Sequence, residues 1–169
     1  MADYINAQNI EDNSMLAVGH SMGHLNQSNE NKYYTAAKKI YKLYTISTPH
    51  KGSNIAALVE RDDGAVHNLS VEFMKTFNQE HPYTHHTINN KLIPILALRF
   101  TCNKSQKSDG VVAIDSQVLD GAPYSKEIYR GKHTSGLRLQ CENNAIEELT
   151  QSRIIEGILD NTIAEIKTP

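Results

Sequence analysis

Apolar runs alternate with amphipathic stretches along this chain, and the alternation predicts its elements. Residues 15–18 form a short apolar run, typical of a strand inside a sheet that is covered on both faces. Residues 31–41 carry apolar side chains at three- and four-residue steps, which predicts a helix. The β-branched and aromatic run at 42–47 predicts the next strand, which Thr48-Pro49 ends.

The rest of the chain continues the same alternation. The remaining predicted elements are an N-terminal helix within 1–10, helical pieces at 55–60 and 71–78, strands at 93–101 and 125–129, and a helix over 142–167 that breaks near 150–153. Strands that alternate with helices indicate an α/β fold with a mainly parallel sheet flanked by helices. A length of 169 residues fits one domain, residues 1–169.

Composition and charge exclude several classes of partner. Apolar residues make up 39% and charged residues 21%, as in a soluble globular protein. The net charge of −2 and the absence of a basic cluster argue against binding to nucleic acid. No apolar run approaches the roughly 20 residues of a membrane span, so no stable membrane insertion is expected. The N-terminus lacks the layout of a signal peptide, which predicts a cytoplasmic location unless a signal precedes this sequence.

The cysteines and clustered histidines give no metal or cofactor site. Cys102 and Cys141 are too few for a disulfide framework and lack metal-ligand spacing, so two ordinary thiols are expected. The pair His85-His86 has no second ligand pair nearby. We therefore expect neither a metal nor a cofactor.

The stretch Gly-His-Ser-Met-Gly at 19–23 follows directly on the apolar run at 15–18. A Gly-x-Ser-x-Gly at the end of a buried strand is the signature of a nucleophile elbow, a sharp turn with the serine at its apex. Such a turn holds the serine in a strained backbone conformation, which small flanking residues accommodate. Ser21 is therefore the candidate nucleophile.

A reactive serine needs an imidazole to take its proton and a carboxylate to orient that imidazole. In an α/β sheet these groups are expected beyond strand ends, in the order acid and then histidine. Asp109, after the strand at 93–101, is the candidate acid, with Asp115 and Asp120 as competitors in the same segment. His133, after the weaker strand, is the candidate histidine.

Two further histidines lie beside this predicted site. His20 is inside the elbow, where it packs next to Ser21 without being placed to take its proton. His50 follows Thr48-Pro49 at the end of the second predicted strand. We expect both to line a substrate pocket.

A joint pattern is formed by the elbow at 19–23, the segments 43–53 and 108–117, and His133 ahead of the final helix. This pattern resembles the α/β-hydrolase superfamily. The likeness is to its lipase and carboxylesterase-type members, including the group related to inositol-deacylating lipases. The resemblance covers residues 15–55 and 92–160 and implies a partial α/β-hydrolase fold.

The resemblance also implies roles for individual residues. It makes Ser21 the nucleophile, His133 the general base and Asp109 its orienting carboxylate, and it gives the Met22 backbone N–H to the oxyanion hole. The Thr-Pro-His-x-Gly-Ser segment, with Pro49, would border the acyl pocket. Residues 54–90 would form a small cap or lid insertion.

The sequence departs from the family pattern at two places. Family members have several strands before the elbow strand, and a loop among them supplies a second oxyanion N–H, whereas 14 residues precede Met15 here. The chain is therefore expected to be a truncated product or a fragment, with one exposed sheet edge. His24 stands where the family has a small residue.

The leading hypothesis is a serine hydrolase that cleaves carboxylic esters, with a small-molecule ester or lipid as substrate. The first alternative is an inactive remnant that binds partners or self-associates through the exposed sheet edge. The second alternative is a thioesterase or acyltransferase with the same residues. The sequence does not separate hydrolysis from transfer to another acceptor.

Overall fold

The elements of the chain are defined here from a computed structural model. The strands are β1 (Met15–His20), β2 (Ile40–Ile46), β3 (Thr87–Ile88), β4 (Lys91–Leu92), β5 (Ile95–Thr101) and β6 (Tyr124–Arg130). The helices are α1 (Ala2–Ala7) and α2 (Val71–Glu80), a helical segment at 156–164, and 3-10 helices at Ser21–His24, Tyr83–His85 and Ile114–Gln117. The structure describes residues 2–24, 36–56, 67–85, 87–88, 91–92, 94–102, 107–133, 153 and 156–164.

Four strands form a parallel sheet in the order β1-β2-β5-β6, and β3 and β4 form a separate antiparallel pair. Because all four strands of the main sheet point the same way, the segments that follow them meet at one edge. His20 pairs with Ile46 at the ends of β1 and β2, so Ser21 and Ser47 begin neighbouring turns. The α/β class and the parallel sheet predicted from the sequence are confirmed.

The core lies on both faces of β2 and β5. On one face, buried side chains of these strands contact the helical segment 156–164; this cluster contains Tyr44, Ile46, Leu98 and Phe100, with Ile158 and Leu159 packed against it. On the other face, Ile95 packs with Tyr83, Leu119 and Ala122. Burial of these apolar groups supplies most of the force that holds the sheet between its covering segments.

Strand β1 lies at an edge of the described sheet, although its apolar run is typical of an interior strand. Val18 is 46% exposed, because β1 pairs with β2 on one side. A short apolar run shows that a strand is favourable there, but it carries no information on which neighbours flank it. Self-association through this edge stays a prediction.

The other strands of the main sheet agree closely with their predicted positions, whereas β3 and β4 were not predicted. β2 begins two residues earlier than predicted and ends at Ile46, because Ser47 has a positive φ of 50° that ends the extended conformation. β5 begins after Pro94, which accepts a hydrogen bond from the Leu43 N–H but has no N–H to donate to the sheet. β6 extends beyond its predicted bounds by one residue at each end.

The predicted helices are described only in part. The N-terminal helix is found at Ala2–Ala7, and α2 covers the piece predicted at 71–78. Of the helix predicted at 31–41, residues 36–38 are helical and 31–35 lie outside the described residues. Residues 57–60 of the predicted helical piece at 55–60 also lie outside them. Of the helix predicted at 142–167, residues 153 and 156–164 are helical, and the others, with most of the expected break near 150–153, lie outside the described residues.

Helix α2 is fixed at both ends and is bound to the loop that follows β2. Ser70 caps it by accepting the N–H of Phe73 at 3.2 Å. Gly52 lies so close that a Cβ added to it would be 2.6 Å from Val71 Cα, and its φ of +85° is one that glycine adopts without strain. The assignment of 54–90 to a cap within one domain stays a prediction.

Cys102 is disulfide-bonded, which corrects the expectation of two ordinary thiols. The sequence holds one other cysteine, Cys141. The number of cysteines is too small for a framework of bridges, but it does not exclude a single one. The cytoplasmic location predicted from the N-terminus stays a prediction.

Candidate active site

The elbow predicted at 19–23 is present at the end of β1. Strand β1 ends at His20, Ser21 has a φ of 53°, and a 3-10 helix begins at Ser21. A positive φ is uncommon for a residue with a side chain and costs energy that the surrounding structure must offset. The strained serine expected from the sequence is confirmed.

Ser21, His133 and Asp109 are brought into one hydrogen-bonded chain, although 112 residues separate the serine from the histidine. The distance between Ser21 Oγ and His133 Nε2 is 2.8 Å, and that between His133 Nδ1 and Asp109 Oδ2 is 2.9 Å. Since a carboxylate oxygen accepts, Nδ1 carries the proton and Nε2 is free to accept from the serine hydroxyl. This arrangement is the one that activates a serine for attack on a carbonyl.

The Asp109 carboxylate is held rigidly in a loop after β5. Its Oδ1 accepts the N–H groups of Val111 at 3.0 Å and Val112 at 2.7 Å, and the residue is 1% exposed. The loop turns at Gly110, whose φ is 97°. The backbone N–H of His133 donates to the Asp109 carbonyl at 2.9 Å, so acid and histidine are joined by their backbones as well as their side chains.

The two competing carboxylates lie outside this arrangement. Asp115 is exposed in the 3-10 helix that follows the Asp109 loop. Asp120 forms an ion pair with Lys51 at 2.7 Å, and its side chain is 81% exposed. Neither carboxylate is the one bonded to His133.

Gln117 supports the loop that carries Asp109, and it was not singled out from the sequence. Its buried carboxamide accepts the Phe100 N–H at 2.7 Å and donates to the Phe100 carbonyl at 2.9 Å. The same nitrogen also lies 3.1 Å from the Val112 carbonyl, next to the N–H that binds Asp109. Gln117 thus fastens the loop to β5, a contact between distant residues that no local pattern signals.

His20, predicted to pack next to Ser21, is partly exposed, and its partly buried ring binds the loop that carries His133. Its Nε2 lies 2.8 Å from the backbone carbonyl of His133, and the two rings have centroids 5.0 Å apart. Burial lowers the pKa of His20 below the ordinary histidine value, and the nearby His133 lowers it further. The bond to the His133 carbonyl and the Asp109 charge act in the opposite direction but are smaller.

The other residues predicted to border the substrate have different placements. Pro49 and His50 are fully buried, and His50 Nε2 lies 3.0 Å from Thr45 Oγ1. Their contact with substrate stays a prediction. Met22 is half-buried in the turn after Ser21, and the oxyanion role of its N–H also stays a prediction.

The described residues hold neither a metal-binding cluster nor a membrane-spanning helix. Among these residues, no group of three or more histidine, cysteine, aspartate or glutamate side chains is arranged to hold a metal ion. Within the same part of the chain, no helix has the length and apolar character needed to cross a membrane.

Comparison with known proteins gives a fold relationship. No protein-family model matches the chain, and no curated protein matches its sequence. Among solved structures, the chain is similar to the mature form of the Bacillus licheniformis lipase BlEst2, with a TM-score of 0.57 and 17% identity over 86% of this chain and 65% of that one. The propeptide form of the same lipase gives a TM-score of 0.54 and 17% identity over 78% of this chain and 38% of that one.

The chain therefore spans less than two thirds of the length of the lipase chains it matches. At this identity the likeness shows the fold alone, and the α/β-hydrolase-like fold expected from the sequence is confirmed. The relation to inositol-deacylating lipases and the lack of N-terminal strands stay predictions.

Proposed function

We propose that this chain is a serine ester hydrolase that works through an acyl-enzyme on Ser21. The observation that carries the proposal is the unbroken hydrogen-bonded chain from Ser21 Oγ through both nitrogens of His133 to Asp109 Oδ2. A serine, a histidine and a carboxylate at these distances, at the carboxyl end of a parallel sheet, have the geometry of nucleophilic acyl transfer.

In the proposed acylation step, Ser21 Oγ forms a bond to the carbonyl carbon of the ester while its proton passes to His133 Nε2. Asp109 stabilises the imidazolium that results, because its Oδ2 already accepts from Nδ1. When the tetrahedral intermediate collapses, the bond to the leaving oxygen breaks and His133 returns the proton to the departing alcohol.

Deacylation repeats the sequence with water as the nucleophile. His133 takes a proton from water as the water oxygen bonds to the acyl carbon. The bond from that carbon to Ser21 Oγ then breaks, His133 returns the proton to Ser21 Oγ, and the carboxylic acid is released. The backbone N–H of Met22, next to the nucleophile, is the first proposed donor to the negative oxygen of each tetrahedral intermediate. The positive φ of Ser21 supports this role, because it turns the chain sharply at that point.

The proposed substrate is an uncharged ester with an apolar acyl group, either a small molecule or a lipid. The fold likeness to a lipase and the lipase-type sequence segments around 19–23 and 43–53 support this class. We propose water as the acyl acceptor, with His133 Nε2 as the group that takes its proton.

The test uses a fluorophosphonate probe, which phosphonylates serines activated by an imidazole. The wild-type chain should be labelled, and Ser21→Ala should not. Ser47→Ala is the matched control, because Ser47 ends the neighbouring strand with a similar φ of 50° and is fully buried. Unlabelled wild type, or equal labelling of the wild type and Ser21→Ala, would overturn the proposal.

A further inference from the structure

The His20 side chain links the elbow to the loop that carries His133. Its Nε2 lies 2.8 Å from the His133 carbonyl oxygen. A carbonyl can only accept, so Nε2 carries a hydrogen and donates it. This bond fixes the tautomer of His20. It also joins the residue before Ser21 to the backbone of His133, whose side chain binds Ser21.

The histidine loop is held from two sides. On the acid side, the His133 N–H donates to the Asp109 carbonyl and the Gly131 N–H donates to Thr101, both at 2.9 Å. On the elbow side, the bond from His20 adds to the contact between Ser21 Oγ and His133 Nε2. The Ser21 hydroxyl must leave His133 when it attacks, whereas the bond from His20 can persist through every step.

We propose that His20 is a positioning residue that keeps His133 in line with Ser21 while the serine reacts. This inference rests on the proposed function and deepens it, because it assigns to the second residue of the elbow a task other than contact with substrate. His20 acts through His133 and takes no proton from Ser21.

The charge state of His20 matters for this task. Among the described residues, the titratable groups that face it are His133, whose ring is tilted at 41° to its own, and Asp109 behind that ring. A cation on His20 would oppose the positive charge that His133 acquires when it takes the serine proton. Burial and the neighbouring His133 lower the pKa of His20, so it stays neutral to a lower pH than an ordinary histidine.

The variants His20→Ala and His20→Gln test whether the hydrogen bond from residue 20 positions His133. Alanine removes the donor, whereas the glutamine amide offers an N–H at about the reach of Nε2 and does not titrate. We expect alanine to lower kcat by about 10²-fold, because a small misplacement of a catalytic group costs about that much, with KM little changed. Glutamine should restore most of the loss, and its rate should fall less steeply toward acid pH than that of the wild type.

A second readout is independent of turnover. The His133 Nδ1 proton, bonded to Asp109, should be seen by proton NMR in the wild type and in His20→Gln, and should exchange faster with water in His20→Ala. His67→Ala is the matched control, since His67 is exposed and packs on Phe73 away from the site. It should leave kcat and the His133 proton unchanged.

Equal losses in the alanine and glutamine variants, or an alanine variant with wild-type kcat and His133 proton exchange, would overturn the inference. If the wild type is not labelled by the probe, the proposed function fails. The exchange of the His133 proton then still decides whether His20 positions that ring.

Discussion

The substitution Asp109→Asn is the sharpest perturbation of the site, because the structure dictates how the new amide must lie. Oδ1 accepts the N–H groups of Val111 and Val112 at 3.0 and 2.7 Å. Only the amide oxygen can take that position, so the NH₂ group replaces Oδ2 and faces His133 Nδ1. Two N–H donors cannot face each other, and His133 must move its proton to Nε2.

With its proton on Nε2, His133 can no longer accept the Ser21 hydroxyl proton. The loss of the correct tautomer costs about 10⁴-fold in kcat in serine proteases, or about 5 kcal/mol of transition-state stabilisation. We expect a loss of that order in hydrolysis of a p-nitrophenyl ester. Stability should change little, because the bonds to Oδ1 survive and the side chains have the same shape.

Asp120→Asn is the matched control, since Asp120 pairs with Lys51 at the surface and does not bind His133. It should retain wild-type kcat. Thermal unfolding of both variants establishes that they are folded. A folded Asp109→Asn variant that retains most of kcat would refute the assignment of Asp109 and the tautomer argument with it.

Three further predictions concern stability. Gly52→Ala should lower the free energy of unfolding, measured in urea, by more than about 2 kcal/mol, and by more than Gly121→Ala does. Both glycines have a positive φ, but only a Cβ at Gly52 would clash with backbone, 2.6 Å from Val71 Cα. Equal losses in the two variants would contradict this reasoning. Gly157→Ala should stabilise by about 0.5–1 kcal/mol, since a Cβ there, on an exposed stretch of helix, meets nothing within 4 Å, and a lower melting temperature would count against it. Reduction of the Cys102 disulfide should lower the free energy of unfolding by about 2–4 kcal/mol, because a disulfide restricts the unfolded chain; an unchanged urea midpoint would contradict that estimate.

The sequence predicts those parts of the molecule that depend on neighbours along the chain. The elbow at Ser21 follows from an apolar run and a short turn, and the strand at 93–101 follows from its continuous apolar character. The sequence also predicts that Ser21, Asp109 and His133 lie close together. Each follows a predicted strand, and the carboxyl ends of parallel strands meet at one edge of the sheet.

Other features depend on residues far apart in the chain and leave no local pattern. A glutamine at 117 looks like any polar residue of a loop until its amide is seen on the backbone of Phe100. The bond from His20 joins residues 113 positions apart. The edge position of β1 depends on which strands lie beside it, and the disulfide at Cys102 requires a distant partner.

The central claim is that Ser21 forms a covalent acyl intermediate, and intact-protein mass spectrometry tests it most directly. The wild-type chain is mixed with a p-nitrophenyl ester and quenched with acid during the first turnover. The account predicts a mass increase equal to the acyl group, located by proteolysis on the peptide that contains Ser21 and missing in Ser21→Ala. Ester cleavage with no adduct on that peptide, or an adduct that persists in Ser21→Ala, would contradict it.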